Sequence, residues 1–212
     1  MVEQNIPLIE LLKEEKGPIL IASHENPDAD TLGSALALYL FLKKKGKKVV
    51  VGCKDKVPHF LDFLPGAKDV LRLPVDDIFS LAVVVDASGF SRVNAEVKAF
   101  RKARIDHHIG GEFYGEYDYI DPEAPSTTAL IYRLLCAWDK SAIDEDIAEN
   151  LLLWLFNDGI SHLHSFKGPW IVNKAFAVRI LTPRFFEKPI KNSYTCHKAI
   201  FMKGKSFQNL GY

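Results

Sequence analysis

The chain has 212 residues, 48% of them hydrophobic, enough for one large domain or two small ones around a substantial core, which excludes a disordered polymer. Lys plus Arg and Asp plus Glu are equal at 27 each, so net charge makes no case for nucleic-acid or membrane affinity and partners must be read from local sites. Cys53, Cys136 and Cys196 are odd in number and widely spaced, with no CxxC pair. That argues against a zinc knuckle or redox motif and fits a reducing cytoplasm.

In chain order, MVEQNIPLIELLKEEK reads as a charged amphipathic helix rather than a signal sequence, and no apolar run approaches the length needed to span a bilayer. PILIAS (18–23) is a buried strand and TLGSALALYLFLKKKG (31–46) the helix after it. Lysines 43 to 45 before Gly46 offset the negative end of the helix dipole, a simpler role than a nucleic-acid patch. KVVVGC (48–53) is a second strand, VPHFLDFLPG (57–66) a short helix and turn, and SLAVVVDAS (80–88) another buried strand. Lys102 to Ile105 forms a short strand ahead of His107 and His108, with a turn at Gly110 and Gly111. Residues 116–138 read as a short strand, a Pro-rich turn and a helix opening at Ser126 or Thr127; residues 144–158 form a helix capped by Asp144. Strands alternating with helices imply a parallel α/β sheet. Beyond residue 159 the pattern blurs into a helical or irregular extension, where a linker to a further domain would begin.

The polar residues gather at strand and helix ends. Two adjacent histidines cannot share a target from regular structure, since neighbouring side chains diverge by roughly 100° in a helix and face opposite ways in a strand. A loop at a strand's carboxyl end can aim both. His24, Asp28 and Asp30 follow the first strand, Asp86 ends the VVVD strand, and Asp158 ends an apolar helix. In open α/β sheets ligands bind outside the carboxyl ends of the strands, so residues distant in sequence can converge there. Asp28, Asp30, Asp86 and Asp158 brought into one crevice would repel unless cations offset them. With imidazoles from His24 and His107 the donors are oxygen and nitrogen only, which suits Mn²⁺, or Mg²⁺, two ions per chain, rather than a thiolate zinc site. Two such ions about 3.5–4 Å apart can activate a hydroxide and clamp a phosphate under in-line attack. Each residue alone has a plain explanation: Asp30 is a good N-cap, Asp86 could cap a turn, and His24 or Asp158 could be exposed. Their joint occurrence with the paired histidines favours the metal reading.

These segments resemble the DHH phosphoesterase superfamily, and within it the branch of small oligoribonucleases that also act as phosphatases on 3′-phosphoadenosine 5′-phosphate. SHENPDADTLGSALALYLFLKKKGKKVVV is similar to the first motif with its helix and strand, VVVDAS to the second, IDHH to the third, and DPEAPSTTALIYRLL to the segment after it. The resemblance implies a parallel three-layer α/β/α catalytic domain, residues 1–158, normally followed by a smaller substrate-binding domain that is short or missing over 159–212. It implies that His24, Asp28 and Asp86 hold one metal while Asp30, Asp86, His107 and Asp158 hold the other, with Asp86 bridging. It also implies that His108 bonds the phosphate or leaving group and that Asp106 orients a histidine. Two departures stand out: relatives carry a threonine-aspartate-threonine-glycine-like motif where this chain has FNDGISHLHS, and their glycine-rich, basic substrate-binding motif has no counterpart.

The expected activity is metal-dependent hydrolysis of phosphoester bonds in short single-stranded RNA or small phosphorylated nucleotides. The enzyme would be a cytoplasmic hydrolase without a membrane partner and able to form a homodimer. Arg92, Arg101 and Lys102 are candidate phosphate contacts, with solvated surface as the simpler role. An inorganic pyrophosphatase of the same superfamily is one alternative. A degenerate domain that binds nucleotide or a partner protein without turnover is another, supported by the altered fourth motif and short C-terminus.

Overall fold

A computed structural model describes residues 6–152. Asp158 and the extension over 159–212 lie outside them. Six strands form one sheet: β1 (Ile19–Ser23), β2 (Val49–Cys53), β3 (Leu71–Arg72), β4 (Ile78–Val85), β5 (Lys98–Asp106) and β6 (Tyr119–Ile120). All pairings are parallel and the spatial order is β3-β2-β1-β4-β5-β6. The chain therefore winds outward in one direction from β1 and in the other from β4. Their adjacent carboxyl ends open the crevice at which doubly wound sheets hold ligands.

Register sets what reaches that crevice. Ser23 pairs with Val85, and Val85 with Ile105. The next residue on each strand is His24, Asp86 or Asp106, so three chemically active side chains emerge at one height.

Alternation along the strands divides the core between the two faces. Ile19, Ile21, Leu81, Val83, Val85, Ala103 and Ile105 pack with α1 (Pro7–Glu14), α2 (Ala29–Lys44), α3 (Thr127–Asp139) and α4 (Glu145–Leu152). Leu20, Ala22, Ala82 and Val84 turn to the other face, where Leu73, Phe79, Phe90 and Val93 cover them, the last two from a 3₁₀ turn at Phe90–Val93. Helix α2 is buried on nearly every side because it lies between the sheet and the pair α3 and α4. That explains why it carries apolar residues all round rather than a single stripe. Phe41 of α2 meets Trp138 of α3 edge to face at 5.4 Å.

Several boundaries differ from the sequence expectation, each for a local reason. Helix α2 begins at Ala29 rather than residue 31, because Asp28 is its N-cap and accepts from the Thr31 amide at 2.9 Å. Strand β5 starts at Lys98, four residues before the expected Lys102. Its first half, KAFRK, is largely exposed and mixes three charges with Ala99 and Phe100, so it has no clean hydrophobic signature, yet Lys98 pairs with Ile78 and Ala99 with Phe79. The two exposed residues of β3 are silent for the same reason. The helix expected within 57–66 is only a 3₁₀ turn at His59–Leu61. Ser126 caps α3 by accepting from the Ala129 amide at 3.1 Å, and Asp144 caps α4 through the Ile147 amide at 3.1 Å. No helix among the described residues is long and apolar enough to cross a membrane.

Candidate metal centre

The residue after β4 anchors the site. Asp86 sits in the left-handed region at φ 55°, a conformation that costs an L-residue about 1–2 kcal/mol, less for aspartate. Its amide donates to Ile105 O at 2.9 Å, and each carboxylate oxygen is claimed by a threonine: Oδ2 by Thr31 Oγ1 at 2.6 Å and Oδ1 by Thr127 Oγ1 at 2.7 Å. Strain at a position so thoroughly held is the pattern of a functional group aimed by its surroundings.

Around Asp86 the described residues form two groups of possible metal ligands, His24–Asp28–Asp86 and Asp86–His107–His108, with the donor atoms in each within 4.8 Å of one another. Asp86 belongs to both. His24 Nδ1 contacts Glu25 O at 2.5 Å and His107 Nδ1 contacts Ala124 O at 3.3 Å. A carbonyl only accepts, so each Nδ1 carries a proton, and the neutral form of either ring would have its lone pair on Nε2. That tautomer, fixed by a backbone carbonyl, is the one metal-ligating histidines use. Nε2 of His24 lies 2.5 Å from Thr31 Oγ1, and Nε2 of His107 lies 3.8 Å from Asp86 Oδ1 and 4.0 Å from Asp30 Oδ2.

Lone pairs outnumber protons around Thr31. Its single hydroxyl proton faces Asp86 Oδ2 at 2.6 Å, Asp28 Oδ1 at 3.0 Å and His24 Nε2. A surplus of oxygen and nitrogen acceptors in one crevice is the complement of a divalent cation, and the absence of sulfur from the set suits a hard one. The donor set therefore fits the metals expected.

Asp30 plays a different part from the surface N-cap that its position allows. It is 3% exposed and accepts from the opposing helix α3: Oδ2 from Thr127 N at 2.8 Å, and Oδ1 from Thr128 N at 2.9 Å and Thr128 Oγ1 at 2.7 Å. Burial, and then the charge of Asp86, push its pKa up to about 7 against the opposing pull of those hydrogen bonds. A cation beside it would remove that burden.

His108 is more open, with 55% of its side chain exposed, and its centroid lies 4.5 Å from that of His107. Its Nδ1 donates to Asp106 Oδ1 at 2.7 Å, leaving Nε2 for another partner. Burial disfavours its charged form, but the Asp106 hydrogen bond and charge, with Asp86 and Asp30 further off, outweigh burial and raise its pKa. Asp106 itself is fully buried and ion-paired with Arg104. Gly111 brings the following turn close, at φ +100°; a Cβ there would lie 2.2 Å from Ser88 O.

The structure thus gathers His24, Asp28, Asp30, Asp86, Asp106, His107 and His108, while Asp158 lies outside the described residues. Arg101 is ion-paired with Glu15, just before β1, and Lys102 lies 4.8 Å from the Phe90 ring centroid. Sequence reasoning missed Thr31, Thr127, Thr128 and Arg104. The threonines read as helix-start residues, and only Arg104, a charge set between Ala103 and Ile105 in the buried half of β5, carried a signal.

The chain is 35% identical over 131 residues to the bifunctional oligoribonuclease and PAP phosphatase of Thermus thermophilus, covering 59% of this chain and 39% of that protein. It is 27% identical over 150 residues to the probable manganese-dependent inorganic pyrophosphatase of Streptococcus mutans, covering 66% and 47%. Among solved structures, an exopolyphosphatase-related protein from Bacteroides fragilis superposes with a TM-score of 0.69 at 27% identity, covering 84% of this chain and 55% of that one. The chain spans between 39% and 55% of the length of these relatives. The model of the DHH family's N-terminal domain matches residues 18–155, which takes in every strand among the described residues and the DHH loop itself, and the chain belongs to the DHH family.

Proposed function

We propose that this chain hydrolyses phosphoester bonds in short single-stranded oligonucleotides or in small nucleotides such as 3′-phosphoadenosine 5′-phosphate, using two divalent cations, Mn²⁺ first and Mg²⁺ second. The observation that carries this reading is Asp86, the one carboxylate common to both ligand groups. His24, Asp28 and Asp86 would hold one ion. Asp86, Asp30 and His107, with Asp158, would hold the other, and residues 1–158 would constitute the catalytic domain. Cations bound there would lower the pKa of water and neutralise phosphate charge.

The protein's own groups supply the rest. Asp86, locked by Thr31 and Thr127, fixes the spacing between the two ligand groups. His24 and His107 present Nε2 lone pairs, with the opposite nitrogens tied to carbonyls. His108, held by Asp106, keeps its proton more readily than a free histidine and is suited to donate a hydrogen bond to a phosphate oxygen or a proton to the leaving oxygen. Similarity to the Thermus thermophilus protein supports the nucleotide substrate class.

The test incubates purified protein with Mn²⁺ and, separately, an RNA dinucleotide, 3′-phosphoadenosine 5′-phosphate and pyrophosphate. Mononucleotide or adenylate should appear, and Asp86→Ala should lose both the bound metal and at least about 10³-fold in rate, the scale of losing a principal electrostatic element. Turnover of pyrophosphate alone would move the protein to the pyrophosphatase reading, which the Streptococcus mutans relative supports. Bound metal without turnover of any substrate would leave the binding-only reading, and full activity in Asp86→Ala would overturn the bridge.

A further inference from the structure

We infer that Arg104 is a positioning residue for the DHH loop: its buried guanidinium holds Asp106, and through it His108, in register with the segment that follows Asp86. This rests on the phosphoesterase reading above.

Arg104 is 1% exposed and heads the largest fully buried side chains among the described residues. It lies on β5, where its neighbours Ala103 and Ile105 turn to the helical face and its own side chain turns to the other. Burying a guanidinium costs several kcal/mol unless its donors are satisfied. Nε donates to Ala87 O at 2.9 Å and to Asp106 Oδ2 at 3.1 Å. Nη2 donates to the same carboxylate oxygen and to His108 O at 3.4 Å, and Nη1 donates to Glu112 O at 3.2 Å.

Those acceptors come from three separate segments. Ala87 immediately follows the proposed bridging ligand, His108 belongs to the paired histidines, and Glu112 follows the glycine turn. One rigid fork therefore sets the distance between the end of β4 and the loop after β5. The remaining oxygen of Asp106, Oδ1, accepts from both the amide and Nδ1 of His108, at 3.2 and 2.7 Å. Arg104 thus fills one side of the carboxylate and leaves the other to the imidazole. A lysine has a single nitrogen and cannot span the carboxylate and three carbonyls at once. An apolar residue would fill the volume but leave the Asp106 charge buried and unpaired.

The test makes Arg104→Lys in the whole chain and follows three quantities. Mn²⁺ stoichiometry should stay at the wild-type value, because no proposed ligand is altered. With the dinucleotide or 3′-phosphoadenosine 5′-phosphate, kcat should fall roughly 10- to 100-fold while KM stays within about two-fold, the scale of a small misplacement near the reacting atoms. Independently of turnover, the His108 ring signals in nitrogen-15 NMR of the metal-free protein should leave the Nδ1–H tautomer pattern, while those of His24 and His107 keep theirs. If Arg104→Lys does not fold, Arg104→Gln, whose planar amide keeps two donors without the charge or the full fork, is the second variant, and the same readouts apply. A variant with a lower melting temperature but wild-type kcat and unmoved His108 signals would reduce Arg104 to scaffolding and overturn the inference. If wild type turns over no phosphoester, the functional reading fails, whereas the NMR signals still decide whether Arg104 sets His108.

Discussion

Asp30 illustrates how a side chain's surroundings decide its chemistry. In the unfolded chain an aspartate loses its proton near pH 4; in the folded protein Asp30, buried beside Asp86, keeps it to about pH 7. Between those values the folded state binds more protons than the unfolded one, so this group makes the metal-free protein less stable as pH rises, with a slope of at most about 1.4 kcal/mol per pH unit. Above pH 7 both states are ionised and the slope from this group ends. Asp30→Asn has no proton to lose, so urea unfolding of the metal-free variant at pH 5 and pH 7.5 should give a smaller difference than wild type. An equal difference in both proteins would mean that Asp30 is not the titrating group. Asp28 and Asp30, two positions apart, divide the work: one caps α2 from the surface, while the other crosses to the start of α3. Their letters are identical in the sequence, and only the neighbour across the crevice separates the roles.

Among the elements, the contact between α2 and α4 depends on a missing side chain. A Cβ at Gly33 would stand 2.6 Å from Asn150 O, which is backbone and cannot swing aside. Asn150 in turn donates to Pro65 O at 3.1 Å, which ties α4 to the turn at Pro65 and Gly66. Gly33→Ala should therefore destabilise the fold by about 1–3 kcal/mol despite the better helix propensity of alanine, because overpacking outweighs it. Thermal denaturation reads the loss directly, and a stabilised variant would show that α4 can retreat without cost. Helix α2 was legible from its apolar content, α3 and α4 from their caps as well, and the buried strands β1, β2 and β4 from their apolar runs. The exposed half of β5 and the whole of β3 were not. Those segments hold their conformation by backbone pairing to a neighbour, which side-chain hydropathy does not record.

At the scale of the molecule, the strand order gives the site its location. β1 and β4 lie side by side although more than fifty residues separate them, and their carboxyl ends bring His24 next to Asp86. A site assembled from that many segments couples metal binding to folding, because the unfolded chain does not hold its ligands together. Mn²⁺ at about 100 times its Kd should accordingly stabilise the protein by about 2.7 kcal/mol per independent site and raise the melting temperature, with a chelator reversing the gain. Asp86→Asn should blunt that response, and a melting temperature indifferent to Mn²⁺ in wild type would count against the centre.

Periodicity, capping chemistry and the DHH-type motifs are local properties of the chain, and they carried the parallel α/β character, the helix caps at Ser126 and Asp144, and the set of candidate residues. The rest depended on the tertiary structure: Asp86 is shared by two groups of possible metal ligands, Asp30 is buried against α3, Thr31 and Thr127 hold the Asp86 carboxylate, and Arg104 ties the end of β4 to the loop after β5. Those facts depend on which strand ends become neighbours and at what register. They arise from long-range packing, and no short stretch of sequence contains both partners.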